Sequence, residues 1–344
     1  MKYMKKSFAN MEPYHSGLIT DGIILNANES PYEPPLKVLE EIKNSVTGIE
    51  FNRYPDMDEI ELDKAIAEHY GINPECVTCG VGSDELLDVV FRCVIDKGDK
   101  VLGFSPSFSM YKVFTELVGG TYIPVYGDAN MIFSVDKMIE EIKKHNPKLV
   151  LICTPNNPTG QYIEEADVRR IIESTDALIA LDLAYIDFAK KDYAKIALEY
   201  DNVISFKTFS KAMALPSIRC GYAISKLDNI DMINAVKAPY SVTSFSQLAA
   251  SIAIKNFDSY KEQIDLIKSE RERIYKELKS INLNVYPSEA NFIYVLMDDK
   301  YNEALINNKI YIRKFSSGIY RITVGSKEEN DKLLEVIKNE KCRG

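Results

Sequence analysis

The sequence predicts an α/β protein with a mostly parallel central sheet, helices on both of its faces, and a smaller α+β domain. Two observations carry this. From about residue 60 to 225 the chain repeats one unit, an amphipathic segment followed by a short apolar run and then a Gly, Pro or Asn cluster. After about residue 240 the pattern changes to a long charge-rich helical stretch and short apolar segments. Strands that alternate with helices form βαβ units, and those give parallel sheets.

In chain order, the strand candidates of the first part are Cys76–Cys79, Lys100–Phe104, Leu149–Cys153, Leu178–Asp182 and Val203–Phe206. Helical spacing joins Leu86, Leu87, Val90 and Val94 behind a start signal at Asp84. Ile163–Ser174 is a second helix, with Glu164 and Glu165 in its first turn. In the last third one long helical pattern runs from Gln247 to Lys279. Apolar segments follow at Asn291–Leu296, Lys309–Ile312 and Tyr320–Val324, and a final helix starts at Lys327. There is no internal repeat, low-complexity tract or flexible linker.

Composition narrows the function. With 344 residues, 46% of them hydrophobic, the chain suits about two domains and needs no disulfide or metal to fold. Lys plus Arg is 42 against 51 Asp plus Glu, a net charge of −9. That balance disfavours general nucleic-acid or anionic-membrane affinity but leaves room for a local anion site. No apolar run approaches the roughly 20 residues that cross a bilayer. No signal peptide is evident, so a cytoplasmic location is expected. The six cysteines are scattered, and Cys76 with Cys79 makes a lone CxxC; with only three histidines, no metal site is expected.

Four clusters fall where a parallel sheet puts ligands, beyond the carboxyl ends of its strands. Gly80-Val81-Gly82-Ser83-Asp84-Glu85 is a glycine turn opening a helix, whose amides favour a phosphate. Glu85 stands where a dinucleotide fingerprint needs its third glycine. Thr154-Pro155-Asn156-Asn157-Pro158-Thr159-Gly160 is a stiff, amide-rich loop. Asp182 closes an apolar strand, and a buried carboxylate there needs a cation or hydrogen-bond donors. Lys207-Thr208-Phe209-Ser210-Lys211, with Arg219 and Gly221 behind it, pairs an amine with an anion pocket. Taken singly, each has a plain structural reading: a turn, a loop, a solvated acid, a surface lysine.

One cofactor accounts for all four. Pyridoxal phosphate needs an amine, an acid at its pyridine nitrogen, donors at its phenolic oxygen, an anion pocket, and a surface against its ring. Lys211, Asp182, and Asn157 with Tyr185 supply the first three; Gly82, Ser83, Thr208, Ser210 and Arg219 supply the pocket. Phe108 suits the ring face, or alternatively the core.

The set resembles the fold type I, aspartate-aminotransferase-like superfamily, class I/II, and most closely its histidinol-phosphate aminotransferase family. The likeness runs nearly end to end. It includes Glu12-Pro13-Tyr14-His15-Ser16, Leu25-Asn26-Ala27-Asn28-Glu29, Arg53-Tyr54-Pro55 and the Asn-Asn-Pro-Thr-Gly loop. It continues through Tyr185-Ile186-Asp187-Phe188, Thr208-Phe209-Ser210-Lys211-Ala212, Arg219-Cys220-Gly221, Ala238-Pro239-Tyr240, Pro287-Ser288-Glu289-Ala290-Asn291-Phe292 and Tyr320-Arg321-Ile322-Thr323-Val324-Gly325.

The resemblance implies a division into a 1–27 arm packing on the small domain or a dimer partner, a 28–245 cofactor domain, and a 246–344 small domain. It implies that Lys211 is the Schiff-base lysine and proton shuttle, that Asp182 holds the pyridinium proton, and that Asn157 and Tyr185 bind the phenolic oxygen. Arg219, Ser210, Thr208 and the Gly82–Ser83 amides would hold the phosphate, joined by Tyr54 from a second subunit of a homodimer. Arg321 matches the arginine that takes the substrate carboxylate or the equivalent anionic end; Tyr14, Asn28 and Arg313 match positions that contact the variable end of the substrate, including its phosphate. Phe108 replaces a more usual Tyr, Leu183 a more usual Glu, and Pro216-Ser217 a smaller pair. The segment from Lys314 to Ile319 is shorter than in many relatives.

The expected reaction is transamination between histidinol phosphate and 2-oxoglutarate, a step of histidine biosynthesis. An aromatic amino-acid aminotransferase and a threonine-phosphate decarboxylase use the same frame and remain alternatives. A non-catalytic interaction protein is disfavoured by the joint presence of Lys211, Asp182 and Arg321.

Overall fold

The computed structural model describes residues 3, 4, 8, 21–128 and 131–343. The chain begins its regular structure with β1 (Ile23–Leu25), α1 (Leu36–Ser45) and α2 (Ile60–Tyr70). A βα series follows: β2 (Val77–Gly80), α3 (Ser83–Val94), β3 (Lys100–Ser105), α4 (Met110–Leu117), β4 (Thr121–Tyr126), α5 (Val135–His145), β5 (Leu149–Cys153), α6 (Glu165–Ile172) and β6 (Leu178–Asp182). Then come β7 (Val203–Thr208), β8 (Gly221–Ile224), α7 (Leu227–Val236), α8 (Ser244–Lys255) and α9 (Lys261–Ser280). The chain closes with β9 (Asn284–Val285), β10 (Phe292–Leu296), α10 (Asp299–Asn307), β11 (Ile310–Ser316), β12 (Ile319–Thr323) and α11 (Lys327–Arg343).

Seven strands form the large sheet in the order β2-β8-β7-β6-β5-β3-β4. It is parallel from β7 to β4, while β8 runs antiparallel to both β7 and β2. Side chains alternate between its faces. Leu149, Leu151, Cys153, Ala180 and Phe206 meet α3, α4 and α7 in one core. Val150, Ile152, Ile179 and Leu181 meet α2, α5 and α6 in the other. Both faces are covered, as the near-continuous apolar runs require.

The small sheet has the order β1-β11-β12-β10-β9. β1 joins it parallel to β11, with Ile23 opposite Ile310, so residues just after β1 are delivered to the seam between the two sheets.

Three features differ from expectation. The edge strand β4 went unread because Pro124 interrupts its pattern, and Pro is tolerated at a sheet edge. The four-residue β8 is too short and too uniform to announce itself. The single helix from Gln247 to Lys279 is two, α8 and α9. They part at Asn256, whose side chain turns back on Ile252 O at 2.9 Å, in a run of poor helix formers including Asp258 and Ser259.

Candidate active site

One cavity of about 260 Å³ lies at the carboxyl ends of β5, β6 and β7, closed on the far side by the segment after β1 and by β12. Asn28, Gly82, Ser83, Phe108, Asn157, Asp182, Tyr185, Thr208, Ser210, Lys211, Arg219 and Arg321 all line it. The four sequence clusters therefore converge. Tyr54 and Arg313 are not among the lining residues: Tyr54 is 82% exposed and stacks on Tyr240 at 4.8 Å, and Arg313 stands across from Arg321 on β11. Tyr14 lies outside the described residues.

Lys211 sits just beyond β7 and its Nζ donates to the Ala27 carbonyl at 3.0 Å. Burial, reinforced by the Arg321 charge, lowers its ammonium to about 8, against the opposing pull of Glu29 and Asp84. An amine so placed is partly neutral, and therefore nucleophilic, near neutral pH.

Asp182 is the last residue of β6 and is buried. Tyr111 donates from its hydroxyl to Oδ2 at 2.5 Å, and the Ala184 amide donates to Oδ1 at 3.1 Å. Burial raises the carboxyl to about 6, the two hydrogen bonds pull it back, and Asp84 adds a smaller upward push.

The turn after β2 forms a cradle. Gly82 has φ +79°, and a Cβ there would come within 2.9 Å of Arg219 Nη2. Gly221 lets β8 pass the start of α3; a Cβ on it would lie 2.3 Å from the Ser83 nitrogen. Glu85, which spoils the dinucleotide motif, accepts the Val81 amide at 2.6 Å and so pins the turn. Thr208 and Ser210 hydroxyls are 3.0 Å apart, and Arg219 Nη1 approaches Ser210 Oγ at 3.5 Å. Amides at a helix start, two hydroxyls and a guanidinium make an anion site.

On the opposite wall Arg321 donates from Nη1 to Asn157 Oδ1 at 2.5 Å and from Nη2 to the Asn26 carbonyl at 2.6 Å. Its guanidinium packs over Phe292 at 5.4 Å. Asn28 is fully buried and engaged: its Nδ2 donates to the Tyr185 hydroxyl at 3.0 Å, and its Oδ1 accepts from Thr323 at 3.1 Å. Burial raises the Tyr185 phenol well above its ordinary value.

Residues 20–337 match the family described as aminotransferase class I and II. The chain belongs to the class I and II aminotransferases. Among curated aminotransferases it is 37% identical over 322 residues to the histidinol-phosphate aminotransferase of Thermoanaerobacter pseudethanolicus, covering 91% of this chain and 92% of that one. It is likewise 37% identical to the Pyrococcus furiosus histidinol-phosphate aminotransferase, with 97% of each covered. Among solved structures, the Sinorhizobium meliloti histidinol-phosphate aminotransferase in complex with pyridoxal-5'-phosphate superposes with a TM-score of 0.89 at 24% identity, covering 100% of this chain and 98% of that one. At that identity the likeness is one of fold, the fold type I aminotransferase arrangement of a large mixed sheet and a smaller one.

Sequence reasoning missed Asn26, Ala27 and Asp84, which line this cavity, and Tyr111, which bonds Asp182 from behind it. The Tyr111–Asp182 contact spans 71 positions; its one signal was that Asp182, ending an apolar strand, needs a donor.

Proposed function

We propose that this chain is a pyridoxal-phosphate-dependent histidinol-phosphate aminotransferase, exchanging an amino group between histidinol phosphate and 2-oxoglutarate in histidine biosynthesis. The observation that carries it is one cavity holding a depressed amine, a buried carboxylate, an anion cradle and a second arginine on the far wall. Full-length likeness to curated histidinol-phosphate aminotransferases at 37% identity supports the substrate.

The residues fit the cofactor. Lys211 would take its aldehyde, Asp182 its ring nitrogen, Asn157 and Tyr185 its phenolic oxygen, Phe108 its ring face, and the cradle from Gly82 to Arg219 its phosphate. Bound pyridoxal phosphate supplies a carbonyl that bonds an amine and a ring that withdraws electrons from the substrate's Cα. Lys211, whose ammonium burial lowers to about 8, would take the Cα proton and return it during transfer. Asp182, as an anion, holds a proton on the ring nitrogen. Arg321 exchanges its bonds to Asn157 and Asn26 for a bidentate pair with an anionic substrate group. Arg313, opposite it in the sheet, is offered to the phosphate end of the substrate, the end for which the family resemblance also names Asn28 and Tyr14.

The working unit in this proposal is a homodimer. Tyr54 stands on the surface stacked on Tyr240, with Phe51 exposed three residues before it, aromatic area that a second copy would cover, and its hydroxyl would there serve the cofactor phosphate of the second copy. The boundaries near residues 27 and 245 separate arm, cofactor domain and small domain.

A substrate panel with purified protein and pyridoxal phosphate tests the reading. Histidinol phosphate should yield glutamate from 2-oxoglutarate, and Arg313→Ala should depress that reaction while sparing phenylalanine. Turnover of phenylalanine with none of histidinol phosphate overturns the substrate assignment.

A further inference from the structure

We propose that Tyr111 is a positioning residue for the transamination: its hydroxyl keeps the Asp182 carboxylate ionised and, with the Ala184 amide, sets the plane of that carboxylate. This rests on the reading that Asp182 holds the cofactor's ring nitrogen.

Tyr111 is 1% exposed and Asp182 6%, so solvent cannot take the place of the bond between them. At 2.5 Å it is the shorter of the two hydrogen bonds holding the carboxylate, the other being the Ala184 amide at 3.1 Å. The amide occupies Oδ1 and the phenol Oδ2, so the carboxylate plane is set from both ends. Burial opposes ionisation of Asp182, and the Tyr111 bond is the largest influence favouring it. Tyr111 itself is buried beside that anion, which raises its phenol well above the ordinary value and keeps it a donor throughout the working range.

Its placement adds a coupling. Tyr111 lies three residues after Phe108, and the two rings meet edge to face at 5.5 Å. One segment therefore carries both the surface for the ring face and the donor that disciplines the ring's nitrogen anchor. The chemistry moves only a proton. Without the hydroxyl, Asp182 becomes the stronger base and takes the proton from the ring nitrogen, leaving a neutral carboxyl facing a neutral pyridine that withdraws electrons poorly.

Tyr111→Phe tests this, read by ¹⁵N NMR of protein loaded with ring-¹⁵N pyridoxal phosphate and by the pH profile of kcat. The variant should move the nitrogen signal from the pyridinium toward the neutral range at pH 7. Its kcat should fall about tenfold, the factor carried by one pKa unit, with KM little changed. Because Tyr111→Phe can fail to fold, 3-fluorotyrosine at position 111 provides a second arm, read as a pH titration of the same signal: a stronger donor should carry the pyridinium signal to higher pH than in the parent. A nitrogen signal that superimposes on the parent's in either arm overturns the proposal. A parent protein that takes up no cofactor, or shows no pyridinium signal, fails the underlying functional reading instead.

Discussion

Lys211 carries its chemistry as a cost to the folded chain. Its ammonium titrates near 8 in the fold and near 10.5 when unfolded. Below pH 8 both states hold the proton, and the fold bears the full penalty of a charge in the cavity wall. Between pH 8 and 10.5 only the unfolded chain binds it, so the penalty fades, and above 10.5 it is gone. Lys211→Met should therefore stabilise the cofactor-free protein at pH 7 by about 1 kcal/mol, allowing for the side chain's partial exposure. The margin should shrink as pH rises from 8 and vanish by about 10.5, as read by urea unfolding at a series of pH values. An unchanged midpoint at pH 7 would show that the amine is fully solvated. Glu59 and Lys237 make the opposite kind of buried group: they are paired at 2.8 Å, with Lys237 also bonding the Cys79 carbonyl at 2.9 Å. Lys237→Met, which strands Glu59 beside its φ +47° backbone, should cost about 3–5 kcal/mol by the same measurement.

The strands and turns explain why the sequence was informative where it was. β5, β6 and β7 are buried on both faces, so apolar runs alone marked them, and the residues that end a parallel strand face a ligand by topology. Lys211, Asp182 and Asn157 were therefore legible as a set, although each alone reads as a surface lysine, a solvated acid or a loop. Asn28 was legible only through resemblance, because its partners Tyr185 and Thr323 lie 157 and 295 positions away. Glu85 was legible only as a departure from a motif; that it pins the Val81 amide depends on a turn no spacing encodes. The contact of β8 with the start of α3 is of the same sort. At Gly221 a Cβ would meet the Ser83 nitrogen at 2.3 Å and the Lys207 carbonyl at 2.9 Å, all backbone that cannot step aside. Gly221→Ala should lose about 1–3 kcal/mol of stability and weaken pyridoxal phosphate binding by displacing the cradle. Gly48→Ala, where a Cβ meets nothing within 4 Å, is the control and should leave cofactor affinity unmoved. Equal cofactor affinity in the two variants would separate the β8 contact from the cradle.

Across the molecule, an acidic chain of net charge −9 gathers Lys211, Arg219 and Arg321 around one cavity between its two sheets. β1 makes that possible, since its pairing with β11 brings Asn26, Ala27 and Asn28 to the seam, where they meet Arg321, Lys211 and Tyr185. Tyr54 stands apart, on a surface outside its own chain's cavity. If it serves the neighbouring site, each chain carries half of two sites, and crossed damage should be repaired by mixing. Tyr54→Ala and Lys211→Ala homodimers should each be impaired. In a hybrid of the two, one site receives Lys211 from the Tyr54→Ala chain and Tyr54 from the Lys211→Ala chain, and so is whole; the other carries both lesions. Differently tagged chains, dissociated, mixed and purified as the hybrid, should then recover about half the parent's activity, the share of one intact site in two. A Tyr54 acting within its own chain predicts no whole site at all, so a hybrid no more active than the average of the two homodimers would remove Tyr54 from the partner's cavity.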